Sequence, residues 1–313
     1  MVGPVLARIV AGTHRGAIAG NPHPVDFDVV EDQPSNGTGP IPDIPIRMEH
    51  EGPVESLERL QASLLFAQIS RISYLQPHAV DVYIPRLGMR LENFADHDGA
   101  QAYIFGNDTD IVVACRGTEP NDWNDVKADV NALMVVAETV GRVHRGFKRE
   151  VDDLWPELEK VIASDKRNLW FTGHSLGGAM ATILAGRCFL AHIPAMPKGV
   201  YTFGAPRVGT KRYINNVEVD LTRWVNNNDI VPRVPPTWLG YRHTGTRLYI
   251  NTYGKVRKMT NRQRMKDRWR GFFQGLKVGK IDHFSDHAVA RYVEHIADAV
   301  DEAASRNRRY KRM

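Results

Sequence analysis

Asn168-Leu169-Trp170-Phe171-Thr172-Gly173-His174-Ser175-Leu176-Gly177-Gly178-Ala179-Met180-Ala181-Thr182-Ile183-Leu184-Ala185-Gly186-Arg187-Cys188-Phe189-Leu190 decides the fold. Its first six residues are a short apolar run of strand length, and the stretch from Leu176 is a long apolar run of helix length. Between them Gly173-His174-Ser175-Leu176-Gly177 spells G-x-S-x-G. A strand that turns into a helix this abruptly needs residues without bulk on both sides of the serine, which Gly173 and Gly177 provide. The turn lifts the Ser175 hydroxyl to the top of a sheet, and the first N–H groups of the following helix point at the same place. A glycine-rich helix start with Ser175 as its cap is the plainer alternative.

Outward from this stretch, strand and helix patterns alternate. Leu57, Leu60, Leu64, Leu65, Ile69 and Ile72 recur at three- and four-residue steps and predict an opening helix. Residues 100–105 and 110–115, separated by Gly-Asn-Asp-Thr, predict a β-hairpin. Phe147, Val151, Leu154, Leu158 and Val161 mark another helix, which Pro156 is expected to kink or interrupt. Residues 199–204, 221–226 and 247–251 read as further strands, and 285–300 as a closing helix. The run Ala132–Ala137 reads as a buried strand. Strands alternating with helices imply an α/β fold, a mostly parallel central sheet with helices on both faces.

A serine hydroxyl is a weak nucleophile at neutral pH and needs a base, itself oriented by an acid. When serine sits on such an elbow, the acid follows it in the chain and the histidine follows the acid. Asp229, in Asn226-Asn227-Asn228-Asp229-Ile230-Val231-Pro232, closes the strand 221–226 in a turn that can aim a carboxylate over the sheet edge. For the base, His283 and His287 both qualify on sequence, each preceded by an aspartate. His174 fills the variable place of the elbow.

The composition is that of a globular protein: 313 residues, 42% apolar and 25% charged. Residues 1–52 stand apart as a flexible Pro/Gly-rich arm, with 7 of the 18 prolines and 6 of the 26 glycines in the first 50 positions. Residues 53–304 form the folded domain, and 305–313 a basic tail expected to fray. No stretch approaches the roughly 20 apolar residues of a membrane-spanning helix. Arg8 interrupts the best apolar run near the start, so a secretory leader is not expected. Two cysteines, Cys115 and Cys188, exclude a disulfide framework and suggest a cytoplasmic protein, with leaderless secretion as the alternative.

Several motifs in a fixed order go beyond the single pentapeptide. They are Val113-Ala114-Cys115-Arg116-Gly117-Thr118 with Asp122-Trp123, Val143-His144-Arg145-Gly146-Phe147, and Thr172–Gly178. Thr202-Phe203-Gly204-Ala205-Pro206-Arg207-Val208-Gly209, Asn228–Pro235 and Asp286-His287 with Tyr292 follow. In these the chain resembles the fungal-type (class 3) lipases of the α/β-hydrolase fold, from about Ala102 to Ile296. The resemblance implies Ser175 as nucleophile, Asp229 as acid, and His287 rather than His283 as base, because Tyr292 stands five residues after it. It implies an oxyanion hole from Thr118 and Leu176, and a lid within Glu119–Asp129. The implied activity is hydrolysis of acylglycerols or related fatty-acyl esters through an acyl-enzyme, with phospholipase A1 or short-chain esterase activity as alternatives. A hydrolase-fold binding protein without turnover is the remaining reading. The chain departs from the family in lacking the disulfides of its secreted members, in its long arm and in a basic insert.

That insert carries the charge asymmetry. Residues 251–313 hold 16 Lys/Arg against 7 Asp/Glu, whereas the rest of the chain is net acidic. Met265, Trp269, Phe272, Phe273 and Leu276 fall at helical spacing within it. A surface helix packing its aromatic stripe on the body is the bland reading, and peripheral contact with a lipid interface through 255–280 the sharper one. No nucleic-acid motif accompanies the charge, so no nucleic-acid partner is expected. No metal-ligand cluster appears, and the chemistry calls for no cofactor.

Overall fold

The computed structural model describes residues 39–117, 133–191, 196–257, 259–260, 263–264, 266–267 and 287–310. The chain divides into residues 1–40, of which only Gly39 and Pro40 are described, and 41–313. Within the second unit the order is α1 (Arg59–Ile72), α2 (Pro77–Tyr83), β1 (Arg90–His97), β2 (Ala100–Gly106), β3 (Asp110–Cys115), β4 (Met134–Val136) and β5 (Arg142–His144). Then come α3 (Arg145–Ile162), β6 (Asn168–His174), α4 (Leu176–Leu190), β7 (Pro197–Phe203), β8 (Gly209–Thr210) and α5 (Lys211–Ile214). β9 (Leu221–Asn226), β10 (Tyr241–Arg242), β11 (Thr246–Ile250) and α6 (Val289–Tyr310) complete it.

Among the described residues the main sheet has the order β1-β2-β3-β6-β7-β9-β11. β1, β2 and β3 pair antiparallel, so the hairpin expected at 100–115 is present. From β3 through β6, β7, β9 and β11 every pairing is parallel. This is the fold expected from the sequence: a mostly parallel sheet between two layers of helix. One face carries α3 and α4 over Ile104, Val113 and Phe171, and the other carries α1 and α6 over Phe105, Phe203 and Trp224. α4 is buried along nearly its whole length, which is why its sequence is apolar on every side.

The local rules fail in four places. α3 runs unbroken through Pro156. A proline inside a helix costs about 3 kcal/mol, but burial of Phe147, Val151, Leu154, Leu158 and Ile162 offsets it at about 1.5–3 kcal/mol for each large side chain. The run at 132–137 is not a buried strand. Among the described residues β4 ends a second, four-stranded sheet ordered β10-β8-β5-β4, where Val136 is 61% exposed while Ala137 is buried. The arm ends before residue 52, since Ile44 is buried, its N–H donates to Tyr83 Oη, and Gln68 Oε1 accepts from Arg47 N–H. The basic tail begins as the last turns of α6, which extends to Tyr310.

Candidate active site

The strand β6 delivers Ser175, and α4 starts on the next residue. Ser175 has φ 58° and ψ −129°, a conformation that L side chains rarely adopt. The surroundings impose it. A β-carbon on Gly173 would overlap the Gly177 backbone, and one on Gly177 would overlap the Cys115 carbonyl, so strand and helix meet in backbone contact. The Ser175 N–H donates to the Phe203 carbonyl at 2.9 Å, which pins the elbow to β7.

Asp229 lies in the turn after β9, and His287 immediately precedes α6. The structure brings both to Ser175. His287 Nε2 lies 2.8 Å from Ser175 Oγ, and His287 Nδ1 lies 3.0 Å from each carboxylate oxygen of Asp229. Ser175 and Asp229 are fully buried, and His287 is 2% exposed. A buried carboxylate needs further donors. The Val231 N–H donates to Asp229 Oδ1 at 2.9 Å, and the Tyr292 hydroxyl donates to Oδ2 at 2.5 Å. Tyr292 in turn accepts from the Asn226 N–H at 3.0 Å, so the end of β9 and α6 hold the acid between them. Ser175 Oγ–H can pass its proton to Nε2 only when Nδ1 carries a hydrogen, and the Asp229 carboxylate holds that tautomer. His283 lies outside the described residues.

Leu176 is the first residue of α4, and the helix itself makes no use of its N–H. That donor belongs to the residue directly after Ser175. Thr118, the other expected oxyanion donor, and the expected lid at Glu119–Asp129 lie outside the described residues. Gly117, one residue earlier, is described: a β-carbon there would stand 2.7 Å from the His174 carbonyl oxygen and 3.3 Å from Ser175 Cβ. The chain leaving β3 therefore passes against the elbow.

Three residues at this centre carry no role in the reading of the sequence: Gly204, quoted there only within a motif, His174, taken as filler of the elbow, and Tyr74. Gly204 follows β7 with φ 62° beside Asp229 and His287. His174 does more than fill a variable place, since both its ring nitrogens are hydrogen-bonded, one to the Tyr74 hydroxyl. Most of the basic insert, including Met265, Trp269, Phe272, Phe273 and Leu276, lies outside the described residues. Two charged residues of the insert are buried: Arg264 is 6% and Asp267 3% exposed. Asp267 accepts from the Tyr249 hydroxyl and the Thr252 N–H, so this part of the insert packs into the body.

Residues 112–238 match the family model described as Lipase (class 3). Toxin TseL of Vibrio cholerae serotype O1 is 29% identical over 189 residues, 47% of this chain and 29% of that protein. A lipase of Rhizopus niveus is 36% identical over 122 residues, 36% of this chain and 31% of that lipase. The chain thus spans less than a third of the length of these curated relatives. The solved propeptide complex of Rhizomucor miehei lipase superposes with a TM-score of 0.55 at 22% identity, over 61% of this chain and 68% of that one, which shows the shared fold. The matched stretch contains Ser175 and Asp229, while His287 lies beyond it. Among the described residues no helix is long and apolar enough to cross a membrane.

Proposed function

We propose that the protein is a serine carboxylic-ester hydrolase that cleaves acylglycerols or related fatty-acyl esters through an acyl-enzyme. The observation that carries this reading is the hydrogen-bond series Ser175 Oγ, His287 Nε2, His287 Nδ1, Asp229, closed at 2.8 and 3.0 Å among buried side chains. Ser175 Oγ attacks the acyl carbonyl carbon while His287 Nε2 takes its proton, and Asp229 stabilises the imidazolium that forms. The tetrahedral oxyanion rests on the Leu176 N–H and on the donors expected at Thr118. One such donor stabilises the transition state by about 3 kcal/mol. His287 then protonates the departing alcohol oxygen. Water, deprotonated by the same nitrogen, attacks the acyl-enzyme carbonyl and releases the fatty acid and Ser175.

The two cysteines, Cys115 and Cys188, are buried free thiols, and burial pushes the Cys188 thiol up to about 12. The test is a panel of p-nitrophenyl esters and emulsified triglyceride, run with wild type and Ser175→Ala. Wild-type turnover that falls about 10⁵–10⁶-fold in Ser175→Ala is the expected result. A Ser175→Ala enzyme that retains turnover, or a wild type inert on every ester, overturns the proposal.

A further inference from the structure

His174 is 5% exposed, and its Nε2 lies 2.6 Å from the main-chain carbonyl oxygen of His287. Its Nδ1 lies 2.8 Å from Tyr74 Oη. A carbonyl oxygen only accepts, so Nε2 carries the hydrogen. Burial, followed by the neighbouring His287, holds the His174 ring well below the usual histidine range and therefore neutral. Nδ1 is then an acceptor, and the Tyr74 hydroxyl donates to it. The partners fix the tautomer and the orientation of the ring together.

This bond series ties together parts of the chain that arrive from different directions. Tyr74 follows the C-terminal end of α1, His174 ends β6, and His287 leads into α6. The Tyr74 hydroxyl also packs where a β-carbon on Gly117 would stand, so the exit of β3 joins the same cluster. Asp229 controls His287 through the ring nitrogen Nδ1 alone. The main chain that carries the ring must be placed separately, because its position sets how far Nε2 reaches. We propose that His174, with Tyr74 behind it, is a positioning residue that clamps the main chain of His287 and so sets the reach of Nε2 to Ser175 Oγ. This role rests on the hydrolase reading above.

The charge state fits the role. The His174 and His287 ring centroids are 4.5 Å apart and the planes are inclined by 36°. When His287 takes the serine proton, a positive charge develops beside His174. A neutral ring tolerates that charge, whereas a protonated one would oppose it.

The test compares His174→Gln, His174→Phe and Tyr74→Phe with wild type. The readouts are kcat and KM on a p-nitrophenyl ester, the rate of fluorophosphonate labelling of Ser175, and thermal unfolding. The glutamine amide reaches about as far as Nε2 and can donate to the His287 carbonyl, while phenylalanine fills the space without a donor. His174→Phe is expected to lose about 100-fold in kcat and labelling rate at unchanged KM, the effect of a displacement of about 1 Å. His174→Gln should recover to within about 10-fold of wild type, on the same reasoning. Wild-type kcat in a folded His174→Phe, or a His174→Gln no better than His174→Phe, overturns the clamp. Should His174→Phe not fold, Tyr74→Phe decides: a kcat lowered about 5-fold at unchanged KM supports the clamp, and wild-type kcat removes it. Labelling that is absent in wild type, or that persists in Ser175→Ala, instead fails the hydrolase reading and takes the positioning role with it.

Discussion

A β-carbon on Gly204 would stand 2.7 Å from Asp229 Oδ2 and 3.0 Å from both Cε1 and Nδ1 of His287. The bond between acid and base thus occupies the space a side chain at 204 would need. Gly204 also has φ 62°, where a non-glycine residue costs about 1–3 kcal/mol. Gly204→Ala should therefore lower kcat/KM by about 100-fold or more, since the Asp229–His287 pair must shift by several tenths of an ångström. Steady-state turnover of a p-nitrophenyl ester by the folded variant checks it. Wild-type turnover would mean the pair tolerates displacement.

Asp110 plays a structural part of comparable density away from the centre. Fully buried at the start of β3, its carboxylate accepts from the Val54 N–H at 2.9 Å, Trp170 Nε1–H at 2.8 Å and the Thr109 hydroxyl at 2.7 Å. These bonds join the segment before α1 to β3 and β6. Asp110→Ala strands two buried donors, the Val54 N–H and Trp170 Nε1–H, and each buried unsatisfied donor costs about 1–3 kcal/mol. A loss of about 3 kcal/mol or more in urea unfolding is expected, with kcat per folded molecule unchanged. A loss below about 1 kcal/mol would show that water replaces the carboxylate.

These two positions show what the sequence could and could not disclose. Ser175 and Asp229 each sit in a local signal, glycines around the serine and a polar turn at a strand end. The aspartate before His287 is matched by one before His283, and the choice between them comes from the resemblance through Tyr292. Chemistry then says which residue types must meet. Gly204, Tyr74 and His174 matter through partners far along the chain, His174 bonding residues 100 and 113 positions away, and no local pattern records such contacts. Pro156 and the run at 132–137 misled for the opposite reason. A local preference was overridden by tertiary packing in α3, and an apolar run became part of a small sheet, where Ala137 is buried and Val135 packs against the core while Val136 stays exposed. Arg264 and Asp267 look like solvated charges in sequence because burial of charge is rare and depends on partners that folding supplies.

Arg223 on β9 is directly in register with Arg247 on β11. It is buried, its Nε has no hydrogen-bond partner, and among the described residues no carboxylate pairs with it. Burial, reinforced by Arg247, Arg207 and Arg264, pushes its pKa down to about 9. The folded state therefore holds this proton less tightly than the unfolded chain. At neutral pH the charge is a net cost, relieved only as pH rises past about 9. Arg223→Met keeps most of the volume and removes the charge, and is expected to raise the melting temperature at pH 7. A lowered melting temperature would mean that the guanidinium holds a partner in solution.

His144 caps α3, its Nδ1 accepting from the Phe147 N–H at 3.4 Å. Burial, then the adjacent Arg145, pushes its pKa from 6.5 down to about 4. Protonation would convert the accepting nitrogen into a donor facing another donor. Because the folded value lies below the unfolded one, the unfolded chain takes up the proton first as pH falls. Stability is thus complete above pH 6.5 and is lost progressively toward pH 4. His174 and His243, also held low by burial, act in the same direction. His144→Asn keeps an oxygen that can cap the helix and does not titrate in this window. Its melting temperature should match wild type at pH 8 and decline less steeply between pH 6.5 and pH 4. Parallel declines in the two proteins would assign the acid sensitivity to the other two histidines, and the cap would then be insensitive to its own protonation.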